Sequence, residues 1–264
     1  MERDVEVVRS PANAALKRVG AVLAGKRPEE VVLEGGRLLR DALRANHRLE
    51  LLLLSEERAA EAAEWSALEG VGEVRVVQTG LLERVSDLAT SPGVLALVPR
   101  PRALDAAELV HGPSALVLVV CRVADPGNLG ALARSAEAAG ASALAVVSGG
   151  ARPFTARALR GSMGSLLRLP VVEADDPDAL AEAFTRSGLR QVAAAARGGM
   201  APDEMDWSGP LALWVAGETG ALPAVASAFD AVTIPTAGAV ESLNVAVAAS
   251  VLLFAAGRNR ESAP

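Results

Sequence analysis

Between Ala115 and Cys121 no polar side chain interrupts the chain. A short, wholly apolar run of this kind is the mark of a strand covered on both faces, and strands are covered on both faces in parallel sheets flanked by helices. The segments that follow agree with that reading. Leu144–Val147, Val171–Glu173, Gln191–Ala195, Leu211–Val215 and Ala231–Ile234 are further strand candidates, and helical patterns fit 129–139, 177–187, 222–228 and 242–257. Strands alternating with helices predict an α/β domain with a mainly parallel sheet.

Upstream, Val31–Leu33, Leu49–Leu54, Val74–Gln78 and Val94–Val98 read as strands, with helices at 10–24, 36–46, 57–67 and 80–89. The stretch Pro-Arg-Pro-Arg-Ala-Leu-Asp at 99–105 resists both helix and central strand. It predicts a boundary between a smaller α/β domain over 1–105 and a larger domain over 106–264.

The chain is 51% apolar and 22% charged, a profile that supports a real core. One cysteine, Cys121, excludes an internal disulfide, and no secretory signal precedes the first patterned segment, so the cytoplasm is the expected compartment. A net charge of −6 argues against gripping nucleic acid by bulk electrostatics. Locally the balance differs. Residues 17–48 carry an excess of basic side chains that includes Arg37 and Arg40, and 152–168 holds Arg152, Arg157, Arg160 and Arg168 without an acid. Such clusters are either solvated faces or RNA contacts.

From Val245 to Ala256 every residue is apolar except Ser250. A helix apolar all round has to be covered, inside the domain or by a second copy. Twelve residues span about 18 Å, too short for a bilayer core of about 30 Å, so a membrane span is excluded and a partly intersubunit helix is expected.

Elimination narrows the chemistry. His47, His111 and Cys121 cannot make a conventional zinc site, so no metal is expected. There is neither a Walker A loop nor a G-x-G-x-x-G after a strand. Three other segments follow predicted strands, at the sheet edge where open α/β folds bind ligands. Asp125-Pro126-Gly127-Asn128 is a turn in which Asn128 can cap the next helix, and Arg134 can reach back toward it. An ordinary strand-turn-helix with a solvated arginine would read the same. Ala216-Gly217-Glu218-Thr219-Gly220-Ala221-Leu222-Pro223 is a small-residue loop with Glu218 as its only charge, and Pro223 opens a helix. In Ile234-Pro235-(x)6-Ser242-Leu243-Asn244-Val245, Ser242 can cap the apolar helix and Asn244 falls inside its first turn. A buried amide there needs partners.

In order and spacing, these segments resemble the three motifs of the SpoU-type (TrmH-like) RNA 2′-O-ribose methyltransferases of the SPOUT superfamily. The likeness spans roughly 115–257 and includes Gly161-Ser162-Met163-Gly164-Ser165-Leu166-Leu167-Arg168-Leu169-Pro170. Leu33-Glu34-Gly35-Gly36-Arg37-Leu38-Leu39 resembles the ribosomal-protein-like RNA-binding domain that many such enzymes carry. The second motif departs from the family pattern Gly-Asn-Glu-Gly-x-Gly-Leu, since the chain has Gly217 for the asparagine and alanine at 216 and 221.

The resemblance implies a trefoil-knotted methyltransferase domain, S-adenosyl-L-methionine held mainly by backbone at Ala216, Gly217, Ile234, Pro235 and Leu243, and a homodimer through the C-terminal domain. It implies methyl transfer to a ribose 2′-hydroxyl in structured RNA, ribosomal rather than transfer RNA. Arg134 would carry the chemistry, with Asn128, Glu218, Ser242 and Asn244 shaping the site, and Arg37, Arg40, Arg152, Arg157 and Arg160 would bind RNA. An arginine is effectively always protonated, so Arg134 is better suited to stabilising charge than to acting as a base. Two alternatives stand beside this reading: a non-catalytic RNA-binding or assembly protein that keeps the fold, and a metabolic α/β enzyme.

Overall fold

The computed structural model describes residues 7–86, 88–109, 112–217, 221–237 and 242–261. It divides into two compact units, one comprising the chain up to Pro101 together with Phe154–Arg160, the other Arg102–Pro153 and the chain from Gly161 onward.

The first unit contains β1 (Val7–Val8), α1 (Ala14–Leu23), β2 (Glu30–Glu34), α2 (Gly36–Arg44), β3 (Leu49–Ser55), α3 (Ala62–Ser66), β4 (Val71–Val77), α4 (Thr79–Arg84) and β5 (Val94–Pro99). Its five-stranded sheet has the order β1-β4-β3-β5-β2. The strand β3 runs parallel to β4 and antiparallel to β5. Leu51 to Leu54 are all buried, so both faces of β3 are covered, as its unbroken leucines require. The helix expected at 10–24 starts only at Ala14, because Asn13 caps it by accepting from the Ala15 amide at 2.9 Å. The helix expected at 57–67 is a 3₁₀ segment, Glu56–Glu61, followed by α3. The strand β1 was not legible in the sequence, because two residues carry no periodicity.

The second unit contains β6 (Leu116–Cys121), α5 (Pro126–Ala138), β7 (Ala143–Val147), α6 (Ala156–Gly161, grouped with the first unit up to Arg160), α7 (Ser165–Arg168), β8 (Val171–Ala174), α8 (Pro177–Arg186), β9 (Arg190–Ala194), β10 (Leu211–Ala216), β11 (Asp230–Val232) and α9 (Val245–Glu261). Its six strands pair in parallel throughout, in the order β11-β9-β10-β6-β7-β8. Within the apolar run at 115–121, β6 is buried at every residue. After β6 the chain moves toward β7 and β8, whereas β10 leads the other way, to β11 beyond β9. The neighbours β6 and β10 therefore flank a topological switch point, where open parallel sheets leave a crevice at the carboxyl ends of the strands.

Two expectations need correction here. The helix expected at 222–228 is a single 3₁₀ segment, Ala224–Ala228, with Pro223 at its cap rather than inside it. The helix expected from 242 begins at Val245. The last helix is also not covered all round: Val245, Ala249, Leu252 and Leu253 are buried, while Val247, Val251 and Phe254 are 51%, 44% and 48% exposed. Ser250, the single polar residue of its 245–256 stretch, meets Ser135 of α5 at 2.7 Å. No helix among the described residues is long and apolar enough to cross a membrane.

Candidate active site

At the switch point the loop after β10 crosses the end of β6. The Gly217 amide donates to the Cys121 carbonyl at 3.0 Å. A Cβ at 217 would stand 2.5 Å from the Arg122 carbonyl oxygen and 2.9 Å from Val123 Cα. Only glycine fits between these two backbones. The departure from the family's asparagine at this position therefore goes with a close packing of the β6 and β10 ends.

Beside this crossing lies a cavity of about 550 Å³. It is lined by Ala194–Ala196 after β9, by Ala216 and Gly217, by Ile234, by Ser242 and Leu243, and by the inner face of α9. Four of the five expected donor-binding residues thus converge, with Ser242 beside them. Pro235 does not line the cavity and is exposed. Glu218 lies outside the described residues, as does His111. The Ala194–Ala196 wall was missed in the sequence, although the rule that ligands gather at strand carboxyl ends points to it. Apart from the hydroxyls of Thr236 and Ser242 the lining side chains are apolar, so most polar recognition there falls to backbone N–H and C=O groups.

Asn128 and Asn244 bring the first and third segments together. The cap of α5 is Asp125, which accepts from the amides of Gly127 and Asn128, so Asn128 sits in the first turn with its side chain free of capping. Conversely, Asn244 and not Ser242 caps α9, accepting at Oδ1 from the Ala246 amide at 2.9 Å and the Val247 amide at 3.4 Å. Its Nδ2 donates to Asn128 Oδ1 at 3.4 Å. Both capping expectations were off by a few residues for one reason: Asp, Asn and Ser all accept well at a cap, and local sequence does not rank them.

Arg134 is exposed on α5 and makes no ion pair among the described residues. Six residues after Asn128, it lies about 120° away around the helix. Neither it nor Asn128 lines the cavity; Asn128 reaches the cavity through Asn244, whose neighbours Leu243 and Val245 do line it. Burial pushes the Cys121 thiol up to about 12, so it supplies no thiolate at neutral pH.

The basic residues divide. Arg37, Arg152 and Arg157 are exposed. Arg40 pairs with Glu64 at 2.7 Å and lies 4.6 Å over the Trp65 ring. Arg160 stands 3.8 Å from the buried Glu34, and Arg168 makes a two-pronged bond to Glu137 at 2.6 and 2.7 Å. The acid-free stretch 152–168 is thus partly neutralised by carboxylates distant in sequence.

The parallel sheet, the cavity at the strand ends and the paired asparagines at its rim lie within the part of the chain that matches the SpoU rRNA Methylase family. The chain belongs to that family, whose model matches residues 115–254. Among its relatives, an uncharacterized tRNA/rRNA methyltransferase of Mycobacterium sp. (strain KMS) is 34% identical over 215 residues, 79% of this chain and 68% of that protein. The AdoMet-bound rRNA methyltransferase of Sinorhizobium meliloti superposes with a TM-score of 0.84 at 28% identity, covering 96% of this chain and 98% of the other. An RNA 2′-O ribose methyltransferase gives 0.82 at 31% identity, covering 97% and 100%.

Proposed function

We propose that this protein transfers a methyl group from S-adenosyl-L-methionine to the 2′-hydroxyl of a ribose in structured RNA, with ribosomal RNA as the substrate. The observation that carries the reading is the Asn244–Asn128 bond at the rim of the cavity formed by Ala216, Gly217, Ile234 and Leu243. Relatives that bind AdoMet or act on ribose 2′-hydroxyls of RNA support it.

The cavity fits the donor. Its volume of about 550 Å³ lies in the range of small-molecule sites, and its largely apolar walls suit an adenine ring and the aliphatic carbons about a sulfonium. Ala216, Gly217, Ile234 and Leu243 would hold it, with Pro235 at the edge of the same loop. When bound, the donor supplies an electrophilic methyl group. The chain's own task is to present the ribose oxygen in line and to stabilise the charge left as its proton departs. A protonated Arg134 serves as a positioned cation for the RNA phosphate and the developing alkoxide. Asn128 and Asn244 hold the two helix starts in register, Ser242 lines the cavity beside them, and Glu218 is assigned to the same site by the family resemblance.

In the same reading, the domain over 1–105 is a ribosomal-protein-like RNA-binding domain that uses Arg37 and Arg40, with Arg152, Arg157 and Arg160 as further RNA contacts. The domain over 106–264 is taken, on the family resemblance, to be trefoil-knotted. The exposed Val247, Val251 and Phe254 stripe is covered by a second copy of the chain. A protein of this function acts in the cytoplasm.

The deciding experiment maps 2′-O-methyl groups in total RNA from cells with and without the protein. Loss of one ribosomal RNA site is expected. An unchanged map, with no calorimetric binding of S-adenosyl-L-methionine, would leave the non-catalytic RNA binder as the better reading.

A further inference from the structure

The carboxyl end of β6 carries a charged residue that the motifs do not account for. Arg122 follows β6 directly and has φ of 53°, in the left-handed region. A residue with a Cβ is disfavoured there by about 1–2 kcal/mol, whereas glycine is not. The conformation is imposed by the neighbours. The Arg122 carbonyl oxygen would be 2.5 Å from a Cβ at Gly217, and its carbonyl carbon 3.1 Å from a Cβ at Gly150, so the peptide is clamped between two glycine backbones. Asn46, which shares the conformation at φ 60°, follows a helix end and is a residue type that tolerates it. Arg122 has neither excuse.

Its side chain has no visible structural task. It is exposed, and its Cγ lies 4.0 Å from where a Cβ at Gly149 would stand. It makes no ion pair or side-chain hydrogen bond among the described residues. A glycine would suit this backbone better, yet a long cation follows the carboxyl end of β6, its backbone carbonyl packed against Gly217 of the cavity wall. Strain retained at such a position points to use rather than to packing.

We propose that Arg122 is a substrate-positioning contact, its guanidinium binding a backbone phosphate of the RNA presented to the cavity. The inference rests on the reading of the protein as an RNA methyltransferase. A planar guanidinium matches a phosphate with two parallel hydrogen bonds, and a clamped Cα reduces the freedom lost on binding. In a chain of net charge −6, cations without an ion-pair partner among the described residues, such as Arg122 and Arg134, can attract the substrate locally.

The test compares wild type with Arg122→Gly and Arg122→Lys. It reads filter retention of labelled total RNA from cells lacking the protein, methyl incorporation into that RNA, calorimetric binding of S-adenosyl-L-methionine, and melting temperature. Arg122→Gly is expected to melt no lower than wild type and to bind the donor equally. It should retain RNA about 5–10-fold more weakly, with a salt dependence shallower by about one and a raised KM at little-changed kcat. Arg122→Lys should fall between. Equal RNA retention and KM in Arg122→Gly would overturn the inference, as would parallel losses of stability and donor binding, which mark a structural residue. A wild type that retains RNA through Arg122 but incorporates no methyl would instead remove the methyltransferase reading and leave the phosphate contact standing.

Discussion

One amide ties together two helix starts that lie 116 residues apart in sequence: Asn244 donates from Nδ2 to Asn128 Oδ1 at 3.4 Å while its Oδ1 caps α9. The cap orders the beginning of α9, and the donor end fixes that beginning against α5. Leu243 and Val245, on either side of Asn244, form part of the cavity wall, so the pair sets the width of the crevice from its rim.

Asn244→Ala removes both functions and is expected to destabilise the protein by about 1–2 kcal/mol. Asn244→Asp keeps the acceptor, and its negative charge suits a helix N-terminus. It should melt near wild type and still lose methyl transfer, because the donor to Asn128 is gone. Thermal unfolding and tritium incorporation, measured on both variants, separate the cap from the tether.

Arg134→Ala should bind S-adenosyl-L-methionine normally in calorimetry and lose about 10²–10³-fold in kcat, the usual loss when one charge-stabilising group is removed. Arg134→Lys keeps a cation without the planar fork and should recover only part. Near-normal turnover of the alanine variant would end the role assigned to Arg134.

Gly217→Ala places a methyl group 2.5 Å from the Arg122 carbonyl oxygen. The strand ends must part, at a cost of about 1–3 kcal/mol, and the cavity changes shape. Donor affinity should fall with stability. Gly217→Asn, which restores the family's usual residue, should behave no better, because the clash begins at Cβ. Calorimetry and melting curves check both.

The exposed positions of α9 bear on assembly. Phe254→Glu and Val251→Arg alter side chains that are about half exposed, so the subunit should fold. Light scattering is expected to show a dimer for the wild type and a monomer for the double variant. A monomeric wild type would contradict the proposed covering of this stripe.

Two ion-paired carboxylates, Glu30 and Glu137, should contribute to acid sensitivity. The Arg168 guanidinium holds Glu137 below the usual glutamate range. Burial pushes Glu30 upward, but hydrogen bonds from Arg18 and Arg27 outweigh it and leave Glu30 low as well. A carboxyl depressed in the folded state adds stability above its unfolded pKa of roughly 4.3, and that stability disappears as pH falls through the folded value. Melting temperature should therefore be flat near neutrality and fall below about pH 4.5. Glu30→Gln should melt lower at neutral pH, since Arg18 loses its ion pair and Arg27 keeps only Glu29, and show a flatter acid limb.

Much of the architecture was legible because it is written in local pattern. The unbroken apolar residues of β6 announce a strand covered on both faces, and the helices placed between strands at 129–139 and 177–187 differ from α5 and α8 by a few residues at their ends. What local pattern cannot supply is partnership across distance. Asp125 rather than Asn128 caps α5, Asn244 rather than Ser242 caps α9, and Asn244 meets Asn128 through the Nδ2 that capping does not use. Glu137 neutralises Arg168 from 31 residues away. The need for glycine at 217 is a backbone crossing with Arg122, visible only when β6 and β10 lie side by side. Burial and period act between near neighbours and are encoded there. Hydrogen-bond pairing, close backbone approach and strain depend on which distant segments the fold brings into contact, and tertiary structure alone decides them.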